Sequence, residues 1–123
     1  MHSRFQHLEK LHLPPSPADA RAQLELALTA LVEEFGAEKI IAFGSCVRGG
    51  ADEHSDVDLC VVRQHLPATT HPQLEAGLCV ARTRPRISTD ILVRTPGQLA
   101  LASARPFGVM EEILSHGLVL YEG

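Results

Sequence analysis

A chain of 123 residues fits one compact domain, and a hydrophobic share of 45% supplies one real core, which excludes wholesale disorder. The formal charge of −4 excludes the basic excess that drives nonspecific binding to nucleic acid or to acidic membranes. Cys46, Cys60 and Cys79 are odd in number and form no C-x-x-C pair. They make a poor disulfide framework and a poor zinc site, and they point to a reducing compartment.

Residues 1–17 read as a lead arm, mobile or docked as a short helix, ahead of a domain over residues 18–123. The arm ends in Pro14, Pro15 and Pro17, has no apolar run of the signal-peptide kind, and spaces His2, His7 and His12 by five rather than by the four that aligns ligands on a helix. No apolar stretch approaches a membrane span, so a cytoplasmic protein without membrane attachment is expected. From Ala18 to Phe35, Leu24, Leu28, Leu31 and Phe35 recur at three- and four-residue steps, which predicts a helix that Gly36 ends. Lys39 to Phe43 predicts a short buried strand. Gly44 breaks it, Ser45 is placed to cap a short helix starting at Cys46, and Gly49 and Gly50 end that turn. Ala51 to Ser55 is a polar loop. Asp56 to Val62 predicts a second strand, Gln73 to Arg82 a helix, and Arg86 to Arg94 a third strand. Thr95-Pro96 opens a further helix, Phe107 to His116 predicts the last one, and Leu118 to Tyr121 a closing strand. This order of elements predicts an α/β (α+β) domain, with helices packed on one small mixed sheet.

Two acids interrupt the second strand. Asp56 and Asp58 are two residues apart, so they share one face at roughly 6.6 Å along the strand, while Val57 and Leu59 face the core. Aspartate is depleted in strands, and an isolated D-x-D is most often a solvated strand end. Asp90 alters that balance, being the acid of the third strand and flanked by apolar residues. If the two strands pair, three carboxylates meet. Their mutual repulsion raises their pKa values, and a divalent cation with hard oxygen ligands, of which Mg²⁺ is the natural choice, removes that penalty.

Gly44-Ser45 stands at a strand-to-helix junction. Glycine lets backbone approach closely, a helix start offers unpaired N–H groups to an anion, and Arg48, one turn on, carries a fork of donors for a phosphate. Taken alone, a Gly-Ser turn has almost no specificity. Joined to a paired-acid strand and a third acid on a later strand, it acquires some.

The run FGSCVRGGADEHSDVDLCVV, with STDILV behind it, resembles the signature of the DNA polymerase β-like nucleotidyltransferase superfamily. It is similar in particular to the minimal nucleotidyltransferase (MNT) domains, whose pattern is G-S, ten residues, then D-x-D. Here Cys46 to Ser55 are the ten. The closing FGVMEEILSHGLVLYEG is similar to the C-terminal helix and strand of those domains, and the resemblance extends over Ala18 to Gly123. Cys46 departs from it, standing where a larger residue is usual, as does Gly50. The resemblance implies the polymerase β-like fold and Mg²⁺-dependent nucleotidyl transfer. Asp56 and Asp58 would hold two Mg²⁺ ions, Asp90 would complete the second metal site and help deprotonate the acceptor, and Gly44, Ser45 and Arg48 would bind the phosphates of ATP.

Antibiotic nucleotidyltransferases carry a further helical domain, and polymerases carry nucleic-acid-binding domains with basic surface. This chain shows neither. The resemblance therefore implies an antitoxin that transfers AMP from ATP to a tyrosine of a HEPN ribonuclease toxin, in a hetero-oligomer with it and without direct nucleic-acid binding. Two alternatives stand beside it: an antitoxin that silences its partner by docking alone, and a small-molecule nucleotidyltransferase. His54 reads chiefly as solvated, with phosphate contact as its lesser role. His65, His71 and His116 read as surface residues, Arg82, Arg84 and Arg86 as a solvated basic loop, and Tyr121 as a packing residue.

Overall fold

The computed structural model describes residues 4–15, 18–50, 55–65 and 71–123. In chain order it contains α1 (Ala20–Ala30), β1 (Lys39–Phe43), α2 (Ser45–Arg48), β2 (Val57–Val62), α3 (Pro72–Ala81), β3 (Thr89–Arg94), α4 (Pro96–Ala104), α5 (Gly108–His116) and β4 (Leu118–Glu122). The four strands form one mixed sheet in the order β3-β2-β1-β4. β1 runs antiparallel to β2 and β4, whereas β2 and β3 are parallel. A parallel pair needs a crossover connection, and α3 supplies it. The fold is thus α+β, a small mixed sheet flanked by helices.

Strand alternation sends side chains to two apolar layers. Ile40, Ala42, Val57, Leu59 and Val61 join Leu24, Leu28, Leu31 and Phe35 in the larger one. Ile41, Phe43, Cys60 and Val62 join Ile113 in the smaller, with Leu99 and Met110 packed against it. Val57 and Leu59 accordingly face the core, as the two-residue alternation requires. Asp58 follows the alternation of Cys60 and Val62 and lies on the α5 side of the sheet.

Three local predictions are corrected. The first helix does not stay α-helical to Phe35: Leu31–Phe35 forms a π turn, closed by Gly36 at φ 83°. The Gly36 and Ala37 amides both donate to the Leu31 carbonyl there. β3 begins at Thr89 rather than Arg86: Arg86 is held by partners outside the sheet, and Ser88 reaches β2 only through its carbonyl, which accepts the Val57 amide at 2.8 Å. Arg86 donates to both carboxylate oxygens of Asp19 at 2.9 and 3.0 Å, and its amide donates to the Gln23 side chain at 3.2 Å. Arg82, Arg84 and Arg86 are all exposed, as the sequence reading has them, with Arg86 paired to Asp19 and Arg82 3.7 Å from Glu34 at the surface. The third correction, at Ser45, belongs to the site below.

Residues 4–15 are docked on the domain. Phe5 and Leu8 are buried in the larger layer, and the Phe5 ring lies 6.0 Å from that of Tyr121. The Gln6 amide donates to the Leu120 carbonyl at 2.7 Å, and the His12 amide to the Cys46 carbonyl at 2.7 Å. His65, His71 and His116 are exposed, and the three cysteines are buried and unbridged. Burial pushes the Cys60 thiol up to about 11, as befits a small core residue.

α4 opens on a capping box. The Gln98 amide donates to Thr95 Oγ1 at 3.1 Å, and the Thr95 amide donates to Gln98 Oε1 at 2.8 Å. No residue of α4 is fully buried, so the helix depends on its cap more than a core helix would. Thr95→Ala is expected to destabilise the protein by about 1 kcal/mol. Urea unfolding should show this as a lower midpoint at unchanged slope.

Candidate active site

The site is assembled at one end of the central strands. β1 ends on Phe43, which is in register with Asp58 of β2, and Asp58 is in register with Asp90 of β3. Parallel pairing at this register places the Asp58 and Asp90 side chains side by side on the same face. Asp56 stands one residue before β2. The three predicted acids are therefore neighbours, Asp58 half-buried and Asp56 and Asp90 exposed. Burial, then the charge of Asp90, then that of Asp56 push the Asp58 carboxyl above the usual range, and Arg48 partly offsets them.

Among the described residues no three His, Cys, Asp or Glu side chains close into a finished metal cage. What the strands provide is a row of hard oxygen donors in fixed register, with one of them carrying an unfavourable charge. That donor set fits a hard divalent cation that keeps water and substrate oxygens among its ligands.

The turn after β1 is built against these acids. Gly44 has φ 80° and ψ −156°, and a Cβ there would collide with Asp58 Oδ2 and lie 3.2 Å from its Cγ. Only glycine lets backbone and carboxylate approach so closely. The Gly44 carbonyl accepts from the amides of both Val47 and Arg48, each at 3.0 Å. Gly44 is thus the residue that opens α2, and Ser45 is its first residue and makes no capping bond. The serine hydroxyl was expected to cap the helix. The glycine carbonyl closes the turn instead, leaving Ser45 half-buried beside the acids. Cys46 is fully buried beneath the turn, and its thiol donates to the Asp56 carbonyl at 3.7 Å. The small side chain here is explained by that burial.

Arg48 projects from the end of α2 and forms an ion pair with Glu112 of α5, the two side chains being 56% and 26% exposed. Glu112 was not among the residues singled out in the sequence. It follows Glu111 directly, and only the seating of Ile113 in the smaller layer decides which of the two faces the site. His54 and the rest of residues 51–54 lie outside the described residues, as do His2, Pro17 and Pro67.

The nucleotidyltransferase domain family is matched over residues 24–75, under half of the chain. That stretch contains Gly44, Ser45, Arg48, Asp56 and Asp58 and stops short of Asp90. The match supports a general role in nucleotidyl transfer. A structure described as a candidate nucleotidyltransferase from Sulfolobus solfataricus is similar at a TM-score of 0.46 and 21% identity, covering 80% of this chain and 81% of that one. No curated protein sequence matches the chain. No helix among the described residues is long and apolar enough to cross a membrane.

Proposed function

We propose that this protein is a Mg²⁺-dependent protein adenylyltransferase, transferring AMP from ATP to a tyrosine hydroxyl of a HEPN-type toxin and thereby acting as its antitoxin. The observation that carries the transfer chemistry is the register of Asp58 with Asp90, beside a glycine turn that only an absent side chain permits. The choice of acceptor rests on the resemblance to stand-alone minimal nucleotidyltransferases.

In this reading Asp56, Asp58 and Asp90 would hold two Mg²⁺ ions, which would supply charge neutralisation to the triphosphate and to the attacking and leaving oxygens. Gly44 and Ser45 hold the terminal phosphates, with Arg48 beside them. Asp90, exposed at the β3 side of the row, accepts the proton of the tyrosine hydroxyl. The phenolic oxygen then forms a bond to the α-phosphorus as the bond to the bridging oxygen breaks, and pyrophosphate leaves. Positioning and charge neutralisation are most of the work in such transfers.

The test is incubation with Mg²⁺, each nucleoside triphosphate and the product of the neighbouring gene, followed by intact-mass analysis. The expected result is an added AMP on the partner with ATP, lost when EDTA removes the metal. A partner that is silenced with no mass added would replace transfer with docking.

A further inference from the structure

The Arg48–Glu112 ion pair joins two elements that the sheet alone does not connect. Arg48 ends α2, the helix that the Gly44-Ser45 turn opens. Glu112 lies on α5, which follows α4 in the chain and packs on β1. Both ends are firmly held. α2 is anchored by the fully buried Cys46, whose carbonyl also accepts the His12 amide. α5 is anchored by Ile113, 2% exposed, and by Gly117, where a Cβ would meet Ile41 Cγ2 at 2.5 Å. Arg48 has a long flexible side chain, and nothing within a four-residue helix determines where its guanidinium rests.

We propose that Glu112 is a positioning residue, holding the Arg48 guanidinium beside the acid row so that its remaining donors meet the triphosphate. The proposal rests on the nucleotidyl-transfer reading above. A guanidinium carries five N–H donors in a rigid fork, so one carboxylate partner leaves capacity for a phosphate. α2, which carries the guanidinium, opens on Gly44, where a Cβ would collide with Asp58 Oδ2, so the helix is seated against the acid row where phosphate oxygens and metal would lie. Glu112 is the less exposed partner, at 26% against 56%, which suits an anchor paired with a working group. Holding the side chain in advance lowers the ordering cost of binding.

The test is a double-mutant cycle on the affinity for Mg²⁺ with adenosine 5′-(α,β-methylene)triphosphate, which binds without turnover, measured by calorimetry. Arg48→Ala is expected to weaken binding about tenfold, the scale of a lost charged hydrogen bond. Glu112→Ala should weaken it about threefold, and the double variant should equal Arg48→Ala alone, since Glu112 acts only through the arginine. Glu112→Gln, similar in shape and still an acceptor, should recover part of the loss, and it keeps the test available if the alanine variant does not fold. Unchanged or tighter binding by Glu112→Ala, or losses that multiply in the double variant, would overturn the positioning role while leaving the transfer reading intact. No binding by the wild-type protein would overturn both.

Discussion

Asp58→Asn is expected to lower nucleotidyl transfer by about three orders of magnitude, the rate equivalent of the several kcal/mol a metal supplies to a developing charge. Asparagine keeps the shape of the side chain and its place opposite Asp90, so the loss reports charge rather than packing. The same substitution should raise the melting temperature of the metal-free protein at neutral pH. Burial, Asp90 and Asp56 all push the Asp58 carboxyl up in the folded state, so folding favours its protonated form. Its contribution to stability is therefore complete below the unfolded value of 3.8 and is lost as pH rises through the higher folded value. At neutral pH the ionised carboxylate is a net cost that the variant removes. Adding Mg²⁺ should reverse the order, stabilising the wild type more than the variant. Thermal melts with EDTA and with Mg²⁺ check both parts. A variant that melts no higher than the wild type in EDTA would mean that the row of acids stores no such cost.

Gly44→Ala should be the most damaging single methyl group in the site. It imposes two separate penalties. At φ 80° an L-residue is strained, at roughly 1–3 kcal/mol, and the new Cβ collides with the Asp58 carboxylate. The expected outcome is a fall in melting temperature on the order of 5–10 °C, together with loss of transfer through displacement of Asp58. The two penalties can be separated. In an Asp58→Ala background the collision partner is gone and only the backbone strain remains, so the same glycine substitution should then cost less. Equal costs in both backgrounds would mean that the close approach of turn and carboxylate contributes nothing to stability.

Much of this site was legible from residue types and spacing. Strand periodicity put Asp56 and Asp58 on one face, and the apolar flanks of Asp90 marked it as an acid inside a strand. Gly44 announced a turn. β1 and the two helix starts at Pro72 and Pro96 fall within a residue of expectation, because short buried strands and proline-led helices are specified locally. Of the misplaced features, one has a non-local cause and one a local cause. β3 starts late because Arg86 and its amide are held by Asp19 and Gln23, residues 67 and 63 positions away. Ser45 lost the capping role because the Gly44 carbonyl closes the turn.

The sequence by itself determined the chemistry on offer: three carboxylates, a glycine turn and an arginine, each on a recognisable element. Local periodicity and turn chemistry are properties of neighbouring residues, so they can be read along the chain. Only the tertiary structure decided that β2 and β3 run parallel with Asp58 opposite Asp90, that Gly44 leaves room for the Asp58 carboxylate, and that Glu112 rather than Glu111 faces Arg48. Strand register and helix orientation depend on contacts between segments far apart in the chain, and no local pattern carries them.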